Sequence, residues 1–142
     1  MENQAVKVTI NATVNAPVAK VWENWTTPAD IMQWNNASPD WHTPRAENDL
    51  RKGGSFLSRM EAKDGSFGFD FTGIYDEVIT NKHIAYTMPD GRKVKIDFTD
   101  NGDSTGIQSV FDAETENPVD MQRDGWQAIL NNFKQYTENT AG

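Results

Sequence analysis

The residues of this sequence that could do chemistry are two histidines and a few hydroxyls set among aromatic rings. His42 stands between Trp41 and Thr43, and His83 follows the turn at Lys82, where we expect it to be exposed. Histidine is a common general acid or base near neutral pH, but no nucleophile with a neighbouring base can be named beside either residue. Two histidines so far apart do not indicate a metal site. Catalysis by His42 is therefore a minor alternative.

Four hydroxyl groups lie in segments where every second residue is apolar. Ser58 and Ser109 fall on the apolar faces, where a hydroxyl without a partner costs on the order of 1 to 3 kcal/mol. Buried hydroxyls usually bond to a backbone carbonyl, so that interpretation is favoured over contact with a ligand. Tyr75 and Tyr86 combine an apolar ring with a polar tip, which makes them the better candidates for ligand contact.

No phosphate-binding loop accompanies these groups. Gly53 and Gly54 are not followed by a lysine and a helix, and Gly65 and Gly68 bracket a hairpin. The sequence has no cysteine for a disulfide or a thiolate metal site. We therefore expect no cofactor.

The charge balance argues against several partners. Thirteen Lys and Arg against twenty-one Asp and Glu give a formal net charge of -8, which repels nucleic acid and acidic membrane surfaces. Arg51, Lys52 and Arg123 could meet an acidic head group, although ordinary surface charge is the simpler interpretation. No apolar run approaches the roughly twenty residues of a membrane helix. The chain opens with Met1 and Glu2 rather than with a basic, apolar leader, so we expect a cytoplasmic location.

The elements that position these groups follow from the apolar periodicity. Alternation over residues 6–14 predicts a strand with one buried face. Two short helices follow: one runs from Pro17 to Thr26, and Thr27 is predicted to cap the other, with Pro28 at its first position. Residues 35–48 give the weakest signal, irregular at first and a weak strand towards the end.

A meander of strands is predicted for the middle of the chain, with turns rich in Gly, Pro, Asn and Asp between its members. Its longest strand carries a row of aromatic residues on one face, formed by Phe67, Phe69, Phe71, Gly73 and Tyr75. Asp70, Asp76 and Asp97 fall opposite the aromatic faces and are interpreted as a solvated acidic exterior. Counting the first strand, the sequence predicts six or seven antiparallel strands.

One long helix is predicted from Pro118 to about Glu138. Its apolar stripe consists of Trp126, Ile129, Leu130 and Phe133. Gly125 inside it costs about 1 kcal/mol relative to alanine, which a close approach by another group would compensate. A lone helix after one large sheet can bury its stripe only on the concave side of that sheet. Because a wrapped helix rarely fills such an enclosure, the sequence predicts an internal apolar cavity.

Several short segments have the order and spacing of a known family: Ala16-Pro17 through Val21-Trp22, Trp25-Thr26, Trp34, Gly53-Gly54-Ser55-Phe56, Phe69-x-Phe71-x-Gly73-x-Tyr75 and Gly125-Trp126. They cover nearly the whole chain. The sequence thereby resembles the helix-grip (SRPBCC) superfamily, which includes START lipid-transfer domains and the birch-pollen allergens, and within it the branch named after the activator of heat-shock-protein-90 ATPase. This resemblance implies an α+β helix-grip fold, a curved antiparallel sheet wrapped around the carboxyl-terminal helix, as a single domain over residues 1–142.

The resemblance also implies a cavity that receives lipids, polyketide-like rings or other apolar compounds. We therefore expect binding of a small hydrophobic ligand rather than catalysis. The expected contacts are inward-facing side chains, for each of which ordinary core packing is an equally good interpretation: Phe56, Met60, Phe69, Phe71, Tyr75, Tyr86, Phe98, Phe111, Ile129, Leu130 and Phe133.

Two alternative functions remain open at this point. One is a cyclase or hydrolase in which His42, Tyr75 or Tyr86 supplies protons in the same cavity. The other is a stress-response module that acts on a chaperone through its exterior. The eukaryotic co-chaperone of the family engages its chaperone through a separate amino-terminal domain, and no such segment is expected before Val6. The family's name is therefore not interpreted as a function.

Overall fold

The computed structural model describes residues 6–36 and 39–140. The opening residues 1–4, and two positions of the weakly predicted stretch 35–48, lie outside the described residues. The elements, in chain order, are β1 (Lys7–Val14), α1 (Val18–Thr26), α2 (Pro28–Trp34), β2 (Trp41–Asn48), β3 (Ser55–Ala62), β4 (Gly68–Ile79), β5 (His83–Thr87), β6 (Lys93–Asp100), β7 (Thr105–Asp112) and α3 (Val119–Thr140).

The seven strands form one antiparallel sheet in the order β1-β7-β6-β5-β4-β3-β2. Strands β2 to β7 pair with their neighbours in sequence, and β1 closes the order by pairing with β7 from Lys7↔Asp112 to Val14↔Thr105. Tight turns make the meander, since Gly91 and Gly102 take left-handed conformations with φ of 93° and 89° in two of the hairpins. The α+β helix-grip fold predicted from the sequence is thus confirmed, with seven strands.

The sheet curls into a half-barrel around α3, and its strands bury alternate side chains on the concave face. In β6, for example, Val94, Ile96 and Phe98 are buried while the residues between them are exposed. Helix α3 buries Leu130, Phe133 and Thr137. Both α1 and α2 lie against its carboxyl-terminal half.

Polar contacts fix that half of α3 to the two short helices. The Trp34 indole Nε1 donates to the Asn24 carbonyl oxygen at 3.0 Å, and Asn24 Nδ2 donates to Thr137 Oγ1 at 3.2 Å. The Tyr136 hydroxyl donates to Asp30, and this hydrogen bond, with burial, raises the pKa of Tyr136 to about 12. These hydrogen bonds join α1, α2 and the carboxyl-terminal half of α3.

Two local predictions need correction. Thr27 occupies the position before α2, but its hydroxyl makes no capping hydrogen bond; its backbone carbonyl instead accepts from the amides of Asp30 and Ile31. The weak strand is a full eight-residue strand, β2, whose pairing with β3 shifts register between His42 and Arg45. No helix in the described ranges is long and apolar enough to cross a membrane.

Candidate functional site: an apolar cavity

A cavity of about 430 Å³ lies between α3, the two short helices and the concave face of the sheet. Its wall is made mostly of aromatic and aliphatic side chains from β3 to β6, with Trp25 and Trp34 from α1 and α2 and Trp126 from α3. Among its 22 lining residues, Glu47 is the one that carries a formal charge. The cavity is therefore suited to an apolar molecule.

Eight of the eleven residues predicted as ligand contacts lie on this wall: Phe56, Met60, Phe69, Phe71, Tyr75, Tyr86, Ile129 and Leu130. They come from three adjacent strands and one face of α3, which the fold brings together around one space. Their contact with a ligand stays a prediction.

The other three predicted residues are buried on the expected face but are not part of the wall. Phe111 stacks under the Trp126 ring, with the two ring centroids 4.0 Å apart and the planes at 10°. Phe98 and Phe133 pack edge-to-face against Trp25, with ring centroids at 5.7 and 4.8 Å. Each of these three rings thus packs against a tryptophan that itself lines the cavity.

The sequence analysis did not assign the helix tryptophans or the aliphatic floor to the cavity. Trp126 belongs to the predicted apolar stripe of α3, which indicates burial but not the neighbour that the ring meets. Ile84, Val94 and Ile96 form part of the floor and had the strand alternation that marks the inward face. That alternation was the signal that could have identified them.

The aromatic rings on the strands support one another. Phe56 lies edge-on to Tyr86, with ring centroids 4.7 Å apart, and also contacts Phe71 and Tyr75. Gly73 makes this arrangement possible, because a Cβ at that position would lie 2.6 Å from a Phe56 ring carbon and 3.1 Å from a Tyr86 ring carbon. The missing side chain lets Phe56 rest on β4.

The four hydroxyls singled out from the sequence all belong to the wall. Tyr75 donates to Asn48 Oδ1 at 2.5 Å, and burial raises the pKa of its phenol. No hydrogen bond within the described residues involves the hydroxyl of Ser58, Ser109 or Tyr86, although these residues are 5, 4 and 8% exposed. Fully buried polar atoms without a partner do not occur among the described residues, so these three oxygens retain accessible surface in the cavity. The favoured interpretation for the two serines, a bond to a backbone carbonyl, is not what the structure shows.

The wall reaches the surface near Phe69, which is 40% exposed, and Trp41 and Glu47 of the edge strand β2. Gly125 of α3 also borders the cavity. A Cβ added there would meet nothing within 4 Å, so the predicted close approach by another group is wrong, and the glycine faces open space.

Neither histidine belongs to the cavity wall. His42 Nε2 lies 3.7 Å from Glu61 Oε1 on the β2–β3 pair. His83 was expected to be exposed but is partly buried between two carboxylates, 3.0 Å from Glu77 and 2.7 Å from Asp97. The part of the chain that the structure describes contains no cluster of three or more residues able to hold a metal ion.

A curled antiparallel sheet that grips one long carboxyl-terminal helix, with two short helices after the first strand, defines the helix-grip class of proteins. Within that class the family is shown by sequence. Residues 15–138 match the family described as "Activator of Hsp90 ATPase homolog 1-like protein", and the chain belongs to this family.

Solved structures support the same assignment. The chain is similar to an AHSA1-like protein from Aeromonas hydrophila, with 43% identity, a TM-score of 0.88, and coverage of 94% of this chain and 93% of that one. It is also similar to Chr148 from Cytophaga hutchinsonii, with 57% identity, a TM-score of 0.82, and coverage of 94 and 92%. CalU16 from Micromonospora echinospora shares the fold at 20% identity, with a TM-score of 0.70 and coverage of 94 and 76%. No curated protein matches the sequence.

Proposed function

We propose that this protein binds a small hydrophobic ligand, lipid-like, polyketide or aromatic, in the cavity between α3 and the sheet. The observation that carries the proposal is the cavity itself, about 430 Å³ lined mainly by aromatic and aliphatic side chains. Ligand sites of proteins fall in the range of roughly 300 to 1,000 Å³ and are lined mainly by such residues, with a few polar groups.

The energetics of packing support the same proposal. Protein interiors are normally close-packed, and residual cavities cost roughly 24 cal/mol per Å³ in the systems where this has been measured. The end of the molecule around Phe133 follows that rule, since this ring is fully buried against Trp25 and Trp34. The middle does not, although larger side chains at Gly125 or Ser58 would fill part of the space. Retention of the space is readily understood if another molecule occupies it.

Tryptophan fluorescence provides a direct test, because Trp25, Trp34, Trp41 and Trp126 border the cavity. Titration with a panel of fatty acids, sterols, flavonoids and polyketides should give a saturable change with at least one member. Two variants of the same helix separate cavity binding from surface binding. Gly125→Leu places a side chain in the open space and should weaken binding at least tenfold, whereas Gln135→Leu adds the same side chain at an exposed position of α3 and should not. Silence across the whole panel, or equal binding by both variants, contradicts the proposal.

The chaperone alternative has one observation in its favour, an exposed aromatic cluster formed by Trp41, Phe67 and Phe69. The three ring centroids are 6.0 to 6.2 Å apart, and Phe67 is 61% exposed. Because Trp41 and Phe69 are also part of the cavity wall, ligand entry accounts for the cluster equally well. An ATPase assay with the cognate chaperone distinguishes the two: stimulation that disappears in a Phe67→Ser variant would support the alternative.

A further inference from the structure

Three hydroxyl groups without a hydrogen-bond partner in the protein bear on which polar atoms the ligand carries. Tyr86, Ser58 and Ser109 are each more than nine-tenths buried, all three line the cavity, and none has a hydrogen-bond partner within the described residues. Their oxygens keep accessible surface, and ligand sites commonly use a few such polar groups to orient their ligand. These hydroxyls are therefore the groups available to a ligand's own polar atoms.

Their positions in the sheet are spread rather than clustered. Ser109 lies on β7 opposite Ile96 of β6, Tyr86 lies on β5, and Ser58 lies on β3 opposite Phe71 of β4. The strand order places Tyr86 two strands from each serine, roughly 10 Å measured across the strands. Along the strands, the pairing register displaces Tyr86 by two residues from Ser109 and by four residues from Ser58. A molecule with one polar head and a long tail would satisfy one of these sites. A molecule with oxygen atoms at separate positions could satisfy several.

The charged side chains on the cavity wall and on nearby strands and turns disfavour an anionic ligand. Glu47 is the one formally charged residue among those that line the cavity, and Arg45 beside it is engaged in an ion pair with Glu47 itself. Arg51 and Arg92 are likewise paired, with Asp49 at 3.0 Å and Asp90 at 2.7 Å. A carboxylate or phosphate in the cavity would be desolvated without a cation to compensate it. The net charge of -8 adds to the repulsion.

We infer that the ligand is an uncharged molecule with oxygen functions at more than one position, such as an oxygenated ring compound, and not a fatty-acid or phosphate-ester anion. The inference rests on the proposed function and narrows it to a chemical class. Tyr86 suits such a ligand as a neutral donor, since burial raises the pKa of its phenol. Ser58 and Ser109 can donate or accept.

A matched pair of probes tests the charge. Anthracene-9-carboxylate and its methyl ester have the same three-ring skeleton and the same two oxygens, and differ chiefly in the negative charge. Titrated into the full chain at neutral pH, the ester should bind at least tenfold more tightly. Equal affinities, or tighter binding of the carboxylate, would overturn the inference and leave the proposed function standing. If neither probe binds and the wider panel is also silent, the proposed function itself fails.

A second pair of variants tests the hydroxyls. Tyr86→Phe should weaken ester binding two- to tenfold while leaving the unfolding midpoint of the free protein unchanged, because its hydroxyl has no described protein partner to lose. Tyr75→Phe is the control, and should lower the midpoint because it breaks the bond to Asn48. The single ester group can reach only one of these widely spaced hydroxyls at a time, so the double variant Ser58→Ala and Ser109→Ala should weaken ester binding less than Tyr86→Phe does. Unchanged ester affinity in both the Tyr86 variant and the serine double variant would show that the hydroxyls do not hold the ligand.

Discussion

Replacing Phe133 by alanine tests the division of this molecule into a packed end and an open middle. Phe133 is completely buried, and its ring centroid lies 4.8 Å from Trp25 and 5.0 Å from Trp34, both edge-to-face. Truncation removes both aromatic pairs and leaves a void that stiff rings cannot close. Large aromatic side chains lost from such surroundings cost 3 to 5 kcal/mol, so we expect the free energy of unfolding to fall by about 4 kcal/mol.

The matched control is Phe71→Ala, which removes the same atoms from the cavity wall. Phe71 is only partly buried, and its nearest aromatic neighbours, Phe56 and Trp126, have ring centroids 5.7 and 6.2 Å away. One side of this ring already faces the cavity, so it has fewer contacts to lose and its removal creates no separate void. We expect a loss of about 1 to 2 kcal/mol, roughly 2 kcal/mol less than for Phe133.

Guanidinium unfolding followed by far-ultraviolet circular dichroism measures both values without relying on Trp25 or Trp34 as reporters. Denaturant slopes equal to that of the unmodified protein would show that the variants unfold between the same two states. If Phe71→Ala costs as much as Phe133→Ala, the wall residue is as tightly packed as the core residue, and the argument for an open cavity is refuted.

Three further predictions concern single positions. Gly125→Ala should raise the free energy of unfolding by about 1 kcal/mol, because the added methyl meets nothing within 4 Å; a lower melting temperature would show a hidden contact. Gly73→Ala should lower it by about 1 to 3 kcal/mol, since the new Cβ would lie 2.6 Å from the Phe56 ring, and an unchanged melting temperature would contradict this. Burial acts to raise the pKa of Asp112, but hydrogen bonds from Lys7 and from a backbone amide outweigh it and lower that pKa below 3.8. The ionised Asp112 therefore stabilises the fold at pH values above 3.8, and this stabilisation disappears as the pH falls through the lowered pKa. Stability measured by urea unfolding at roughly pH 5 and pH 3 should therefore fall less in Asp112→Asn than in the unmodified protein.

Most strands could be predicted because one of their faces is buried and the other is exposed. Because Val94, Ile96 and Phe98 alternate with charged residues, only one face of this strand can be buried in the sheet, and the structure confirms it. Strand β2 was underestimated because its alternation is interrupted by the register shift after His42. Pro44 falls within this shift on an edge strand, where a missing amide hydrogen does not disrupt pairing.

The cavity wall could be predicted only in part, because periodicity assigns a side chain to a face and not to a neighbour. Phe111 shows the limit: its side chain is buried as predicted, yet it stacks on Trp126 and is not among the residues that line the cavity. The hydrogen-bond state of Ser58 and Ser109 shows the same limit, because it depends on which carbonyls come within reach after folding. Gly125 is the opposite case, since the sequence indicated an unusual position but suggested close contact where the structure has space.

The open middle persists for a reason that connects the composition to the proposed function. Leucine occurs at three positions in 142 residues, while aromatic residues make up 11%. Nine of the 22 lining residues are accordingly aromatic, and most of the others that are apolar are β-branched. Phe56 is held against β4 by the space at Gly73 and is flanked by Tyr86, so turning it inward would break those contacts and expose bare backbone. A planar ring held by its neighbours cannot change shape to fill a void as the flexible side chain of methionine can. We therefore expect the wall to keep its shape, and a preformed wall would lower the entropy cost of binding the ligand proposed above.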